Sequence, residues 1–390
     1  MWVSVNQASL WRASSPLGFS PSTTSAPTDE DYIRLALDLA ASAKGEVSPN
    51  PLVGALVVKD GRIVGRGVHR YADVKHAEVL ALEEAGEQAR GATLYTNLEP
   101  CCHYGRTPPC TEAIIRAGIV RVVASMKDPN PQVCGRGFEA LRRAGIRVEV
   151  GLAEAEAHQL NEKFVRYITS GRPFVHLKIA MSLDGRIATA SGHSRWITSE
   201  ASRHAVQRLR YEYDALLVGI GTVLADDPEL TLRLGRPRHR PLVRVVVDSH
   251  LRIPVTSKLV HTARQWPLWV FTTDPPGEKA QLLGEHGASV IPVPARDGRV
   301  DLLAVLEELG RREITSLLVE GGAEVYAAFL QQRLADKLTI FIAPKIIGGR
   351  HAIPAVGGTD IATLDRALSV RIVNVVRSSE DIEITAYPEI

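Results

Sequence analysis

The 390-residue chain is short of aromatic side chains, which make up 5% of it, and its formal net charge is only +2. Together these deficits argue against a nucleic-acid partner, which needs a basic face interleaved with stacking rings. No apolar run approaches the roughly 18–20 residues that span a bilayer as a helix, so no membrane partner is expected. Cysteine is scarce too: four in a chain of this length are too few for a disulfide framework. Yet Cys101, Cys102 and Cys110 fall within ten residues of one another. That clustering suits thiolates on a metal and a reducing, cytoplasmic setting.

What remains is ordinary for a globular protein, with 45% hydrophobic and 23% charged residues. Single cores rarely grow beyond about 250–300 residues, so the length implies two domains. Residues 1–27 differ, being rich in Ser, Thr, Pro and Ala with Arg12 as their only charge. A tail of that kind buries too little apolar surface to order itself, and disorder is expected. A single arginine gives little support for a transit peptide.

From Thr28 onward the pattern alternates. Thr28 caps a helix whose first turn is acidic, and Asp60-Gly61 turns a hairpin between the run Leu52 to Val58 and Ile63–Val64. Helical patterns begin at His76, Thr111, Gly137 and Ala153, the last reading as one helix to Thr169. Strands are expected at Thr93 to Asn97, Val120 to Ala124 and Val148 to Val150. Such alternation predicts a three-layer α/β/α domain over 28–172. Ser170-Gly171-Arg172-Pro173 breaks the pattern, and a second α/β series fills 173–390. It has strands at Phe174 to Met181, Ala215 to Val218, Leu242 to Val247, Leu268 to Thr272, Ser316 to Val319 and Leu338 to Ile342.

The chemistry concentrates between residues 76 and 110. His76-Ala77-Glu78 offers an imidazole and, two residues on, a carboxylate; Pro100-Cys101 and Cys110 offer thiols at a loop and a helix start. Zinc takes such ligands and, when catalytic, keeps one position open for water, whose pKa it lowers to about 7. In zinc deaminases an H-x-E segment gives a ligand and the proton shuttle, and a later P-C segment gives two thiolates. Here the second thiol departs from C-x-x-C, since eight residues separate Cys101 from Cys110. The residues alone leave Cys102 and His103 open as ligands. Asn50, set between two prolines, and His69 are polar candidates for a base edge. Each serves equally well as a turn-stabilising or surface residue.

Ser48-Pro49-Asn50-Pro51-x-Val53-Gly54, His76-Ala77-Glu78 and Glu99-Pro100-Cys101-x-His103-x-Gly105-x-Thr107-Pro108-Pro109-Cys110 resemble the deaminase half of the bifunctional riboflavin-biosynthesis deaminase/reductase family. The resemblance implies a cytidine-deaminase-like fold with the long thiolate spacing. It implies His76, Cys101 and Cys110 as zinc ligands, Glu78 as proton shuttle, and Asn50, His69 and Arg106 as substrate contacts.

The second half carries no single diagnostic motif. Gly219-Ile220-Gly221-Thr222-Val223-Leu224 starts like a dinucleotide fingerprint but has Leu224 where the third glycine belongs, so that fingerprint fails. Glu320-Gly321-Gly322 is a second glycine turn at a helix start, where backbone N–H groups favour phosphate. As an ordered set, Leu177-Lys178-x-Ala180-x-Ser182-Leu183-Asp184-Gly185, Ser194-x-Trp196-Ile197-Thr198, Gly219 to Pro228 and Glu320-Gly321-Gly322 resemble the reductase half of the same family. That implies a dihydrofolate-reductase-like α/β domain. It implies NADPH at Ala180, Trp196, Thr222, Asp226, Ser249, Gly321 and Gly322, and substrate near Ser194, Arg210, Leu230, Arg233 and Glu320. Arg210 and Arg233 suit a substrate phosphate, which guanidinium groups bind in bidentate fashion. Lys178 and Asp226 are the candidate catalytic polar groups near the reacting ribose.

The resulting expectation is a cytoplasmic enzyme with Zn2+ and NADPH, working on one phosphoribosylaminopyrimidine skeleton as a homo-oligomer, dimer or tetramer. It would deaminate 2,5-diamino-6-(5-phosphoribosylamino)pyrimidin-4-one, then reduce the ribosyl chain of 5-amino-6-(5-phosphoribosylamino)uracil to ribityl. A nucleic-acid editing deaminase would share the zinc site but needs the basic aromatic face that is missing. A binding protein with a degenerate site conflicts with the intact ligand set, though no residue of the second half excludes it there.

Overall fold

The computed structural model describes residues 26–274, 277–358 and 360–389; the expectation placed on residues 1–25 lies outside them. Helix α1 (Asp29–Ala41) starts with a closed capping box. The Thr28 hydroxyl accepts from the Asp31 N–H, and the Asp31 carboxylate accepts from the Thr28 N–H. The hairpin β1 (Gly54–Lys59) and β2 (Arg62–Val68) turns at Asp60 and Gly61, both at positive φ. Next come α2 (Ala77–Ala85), β3 (Thr93–Leu98), α3 (Cys110–Ala117) and β4 (Arg121–Met126). Then follow α4 (Arg136–Arg143), β5 (Arg147–Val150), α5 (Glu154–Leu160) and α6 (Glu162–Ser170).

The five strands lie in the order β2-β1-β3-β4-β5, the last three parallel. Ala55 pairs with Gly67, so these two share a face, and Gly54 points to the other. A Cβ at Gly67 would stand 1.9 Å from the Ala77 carbonyl of α2, and one at Gly54 would stand 2.2 Å from the Ala36 carbonyl of α1. Bare glycines therefore let α1 and α2 press on opposite faces of the hairpin, which makes the three layers. Between them Ile33, Ala55, Val57, Leu94, Ile114 and Val122 are fully buried.

One expectation fails. The helix foreseen from Ala153 to Thr169 is broken at Asn161, where φ is −101° and ψ 16°. Buried Asn161 accepts from the Leu52 N–H and donates to the Leu52 carbonyl, tying down the segment that leads into β1.

The second half runs β6 (Phe174–Ser182), β7 (Arg186–Ala188), α7 (Glu200–Glu212), β8 (Ala215–Gly219) and α8 (Ile220–Asp226). It continues through β9 (Val243–Val247), α9 (Lys258–His261), β10 (Leu268–Thr272), α10 (Glu278–Glu285) and β11 (Ser289–Pro292). A small pair, β12 (Ala295–Arg296) and β13 (Arg299–Val300), precedes α11 (Leu302–Arg311), β14 (Ser316–Gly321) and α12 (Ala323–Gln331). The chain ends with β15 (Lys337–Ala343), β16 (Ile353–Pro354), β17 (Val370–Ser378) and β18 (Asp381–Pro388).

Nine strands form one sheet in the order β11-β10-β9-β8-β14-β6-β15-β18-β17. It is parallel from β11 to β15 and antiparallel in the closing hairpin β18/β17. That hairpin was not foreseen, and the reason is visible in β17. As an outer strand it leaves Val370, Ile372, Val373 and Val375 exposed, so no inside–outside alternation marks it.

The halves meet through polar groups. Glu162 of α6 takes an ion pair from Lys337 at 2.7 Å and a hydrogen bond from the Tyr387 hydroxyl at 2.6 Å. Lys163 donates to the Glu212 carbonyl at 2.8 Å and lies 3.7 Å above the Tyr213 ring; its burial there lowers the ammonium pKa to about 8.

Candidate active sites

Two helix starts and one loop build the first site. His76 is the residue before α2, Cys110 opens α3, and Cys101 lies on the loop that leaves β3. One ligand atom from each of the three falls within 4.8 Å of the other two. The His76 Nδ1 is 3.2 Å from the Cys110 Sγ and 3.4 Å from the Cys101 Sγ, while its Nε2 faces the Thr107 hydroxyl at 3.5 Å. Nδ1 is therefore the nitrogen turned toward the thiols. The hydrogen bond from the Cys110 thiol, helped by His76 and the Cys110 N–H, lowers the Cys101 thiol to about 4 against its burial. One imidazole nitrogen and two sulfurs form a donor set that fits zinc. Among the described residues this is the one such cluster. Cys102 and His103 stand outside it.

Glu78, in the first turn of α2, is 3% exposed and interacts with the Cys110 thiol. Burial raises its carboxyl to about 7, against the pull of His76; a cation held by the triad would draw it back down. Asn50 and His69 form one hydrogen-bonded unit next to His76. The His69 Nδ1 lies 2.9 Å from the Lys75 carbonyl, to which it donates, so its Nε2 accepts from the Asn50 amide at 2.9 Å. His69 is 3% exposed, and its burial lowers its pKa, which favours the neutral ring. Its ring meets that of His76 edge-on at 5.5 Å. Arg106 is exposed at the rim, its guanidinium 5.0 Å from the Tyr71 ring centre.

The sequence reading gave Glu99 no role beyond its place in the motif. The buried Glu99 carboxylate accepts the N–H groups of Asp128, Gly135, Gly137 and Phe138, so it caps α4 and fixes the next loop beneath the ligand loop. Gly137 sits so close that a Cβ there would be 2.1 Å from the Pro100 carbonyl. A carboxylate next to a ligand-bearing Pro-Cys pair was the available signal.

A cavity of about 1500 Å³ forms the second site, at the carboxyl ends of β8, β9 and β14. Every reductase candidate lines it: Lys178, Ala180, Ser194, Trp196, Arg210, Thr222, Asp226, Leu230, Arg233, Ser249, Glu320, Gly321 and Gly322. Gly219 ends β8 against α12, where a Cβ would meet the Val325 side chain at 2.6 Å, and α8 is only seven residues long. Thr222 packs on the second glycine turn, its hydroxyl 3.1 Å from where a Gly321 Cβ would stand. The Ser194 hydroxyl donates to the Asp226 carboxylate at 3.3 Å, and the Ser249 hydroxyl accepts from the Val300 N–H at 3.0 Å. Trp196 is 63% exposed, with Arg203 stacked 4.7 Å from its ring centre.

Arg210 meets partners within the chain. The bidentate partner of Arg210 is a carboxylate of this chain: its Nε and Nη2 donate to the two oxygens of Glu320 at 2.6 and 2.9 Å, and its Nη1 donates to the Thr231 carbonyl. Lys178 adds a second cation 3.6 Å from Glu320. Burial pushes the Glu320 carboxyl up, but the two charges outweigh it and hold it at about 2. A buried carboxylate must be paired, and these cations are the partners in reach. Arg233, more than half exposed and 3.8 Å from Glu229, keeps a guanidinium available at the mouth.

A histidine–dithiol metal cradle with its own buried carboxylate, followed by a cofactor-sized cavity at the ends of a parallel sheet, defines a two-site enzyme. Its first half is a zinc-dependent deaminase and its second an NADPH-dependent reductase. Comparison with known proteins agrees. Residues 26–126 match the cytidine and deoxycytidylate deaminase zinc-binding region, and residues 173–384 match the RibD C-terminal domain. The riboflavin biosynthesis protein RibD of Aquifex aeolicus is 47% identical over 356 residues, covering 91% of this chain and 97% of that protein. The Escherichia coli protein of the same name is 45% identical over 331 residues, covering 82% and 89%. Among solved structures, Acinetobacter baumannii RibD superposes with a TM-score of 0.83 at 37% identity, covering 93% of this chain and 99% of that one. A Thermotoga maritima diaminohydroxyphosphoribosylaminopyrimidine deaminase/5-amino-6-(5-phosphoribosylamino)uracil reductase gives 0.82 at 38%, covering 92% and 98%. The chain belongs to the RibD family of bifunctional riboflavin biosynthesis enzymes.

Proposed function

We propose that residues 28–172 remove the 2-amino group of 2,5-diamino-6-(5-phosphoribosylamino)pyrimidin-4-one and that residues 173–390 reduce the ribosyl chain of the deaminated product. The observation that carries this reading is the convergence of His76 Nδ1 and the Cys101 and Cys110 sulfurs beside the buried Glu78. Zinc supplies Lewis acidity there and makes a water acidic near neutral pH. Glu78 would take one proton from the attacking water and give it to the ring nitrogen. It would then take the second from the hydroxyl added to the same carbon and give it to the amino group, which leaves as ammonia. Asn50, its orientation fixed by His69, donates to the amide-like edge of the base, and Arg106 meets the anionic end at the rim.

In the second half the glycine turns at Gly219–Gly221 and Gly321–Gly322 let backbone approach the cofactor, with Ala180, Trp196, Thr222, Asp226 and Ser249 lining its bed. NADPH supplies the hydride. Lys178 and Asp226 stand as the polar groups nearest the reacting ribose, beside Ser194, Leu230 and Glu320. Arg233 takes the substrate phosphate, and Arg210 instead holds Glu320 in place.

The enzyme works in the cytoplasm, where a reducing environment keeps its four free cysteines as thiols. No helix among the described residues is long and apolar enough to cross a membrane. It assembles as a homo-oligomer, dimer or tetramer; the exposed apolar residues on outer strand β17 support this, because such edges invite pairing. Incubation with the diaminopyrimidine phosphate, with and without NADPH, tests the whole reading by mass spectrometry. Loss of the amino group must occur without NADPH, and ribityl product must require it. Cofactor left unconsumed by the deaminated product would sink the second half of the proposal.

A further inference from the structure

The wall of the deaminase site that carries Asn50 is anchored outside its own half of the chain. Two residues before Asn50, the Ser48 hydroxyl donates to the Asp214 carboxylate at 2.7 Å and lies 3.2 Å from the Thr315 hydroxyl. Asp214 is 4% exposed, and the same oxygen accepts the Thr315 N–H at 2.9 Å and the Thr315 hydroxyl at 2.7 Å. Ser48 also accepts from Arg240 at 3.4 Å, which fixes its hydroxyl proton toward Asp214. Neighbouring contacts repeat the theme. The Tyr211 hydroxyl reaches Glu46 at 3.3 Å, and the Tyr71 ring packs against His239 with centres 4.8 Å apart.

Asp214 and Thr315 take no part in the reductase cavity. They precede β8 and β14, whose far ends at Gly219 and Glu320 line it. A buried carboxylate draws its donors strongly, so the position of Ser48 is set by the second half of the chain. From Ser48 the constraint passes through one proline to Asn50, whose amide is held in turn by His69. The anchor does not bear on the thiols, which belong to other segments.

We infer that Asp214 is a positioning residue for the deaminase: through Ser48 it holds the Asn50 side chain in register with the substrate base. The inference rests on the reading of Asn50 as a substrate contact. It predicts a change in substrate binding at the first site with the zinc, the proton chemistry and the second site untouched.

The test uses the full-length zinc-loaded enzyme and four variants, Ser48→Ala, Ser48→Thr, Asp214→Asn and Asn50→Ala. Removal of a hydrogen bond to a charged acceptor is expected to raise the deaminase KM about tenfold in Ser48→Ala and in Asp214→Asn, with kcat within about twofold. Zinc content and both reductase constants stay at their wild-type values, and Ser48→Thr, which keeps the hydroxyl, restores the deaminase KM. An unchanged deaminase KM in Ser48→Ala beside a raised one in Asn50→Ala overturns the anchor alone. An unchanged KM in Asn50→Ala overturns the substrate reading of Asn50 and the inference with it. A parallel fall of both activities that follows a lowered Tm marks a merely structural contact and also overturns it.

Discussion

The two sites of this chain are built on opposite principles. The first draws its metal-binding atoms from residues 76 to 110, on two helix starts and one loop, packed so tightly that Gly137 has no room for a methyl group. The second draws on residues spread from Lys178 to Gly322 around a cavity of about 1500 Å³, whose lining mixes glycine turns with charged, polar and apolar side chains. A metal demands particular atoms at fixed distances, so few residues carry the function and each is indispensable. A dinucleotide is held by many modest contacts, so no single one is decisive.

That contrast can be broken experimentally, beginning with the largest effect. Cys110→Ser should lose zinc and all deamination while NADPH-dependent reduction continues, as read by metal analysis and two separate assays. Loss of both activities would contradict the division. Glu78→Gln should keep zinc yet slow ammonia release about 10²–10⁴-fold, the range for a general acid–base group. Retained deamination removes Glu78 from its role.

Glu320→Gln should strike the second half instead, since breaking a buried ion pair costs about 3–5 kcal/mol. Its carboxyl, held at about 2 in the fold, lies below the usual value of about 4.3 in an unfolded chain. The stabilisation is therefore present above about pH 4.3 and is lost as pH falls toward 2. The Tm gap between wild type and variant should narrow across that window; a constant gap would show that the carboxylate charge is not what stabilises the site.

Gly321→Ala should weaken NADPH by about tenfold, because the added Cβ lies 3.1 Å from the Thr222 hydroxyl and the turn must shift by a few tenths of an ångström. Titration of cofactor fluorescence measures it, and unaltered binding would free that turn from the cofactor bed. The smallest effect is expected for Cys102→Ser. Its side chain stands outside the ligand cluster, and zinc content should stay at the wild-type level.

The same contrast governs what could be read before any coordinates. His76, Glu78, Cys101 and Cys110 were legible because a metal site is written in rare residues at short spacing. Local signals were equally plain where chemistry is local, as with Thr28 and its capping box or Asp60-Gly61 in its turn. Long-range partners were not. Nothing near Arg210 in sequence announces that Glu320, 110 positions away, will take its guanidinium. Asn161 looked helical because its reason for breaking the helix, the backbone of Leu52, lies 109 positions earlier. Strand β17 escaped because its partner covers one edge and its faces remain open.

The polar seam between the halves has a consequence for anyone wishing to divide the gene. Cleaving the chain at Gly171 would strip Lys163 of the Tyr213 ring and the Glu212 carbonyl, and Glu162 of both Lys337 and Tyr387. In a whole chain those partners arrive in matched numbers, because one polypeptide delivers both faces. Separate expression would leave each fragment with a stripe of charged and hydrogen-bonding groups meant for the other. The two catalysts are thus modular in their chemistry and joined in their folding, and their fusion works as a stoichiometric lock.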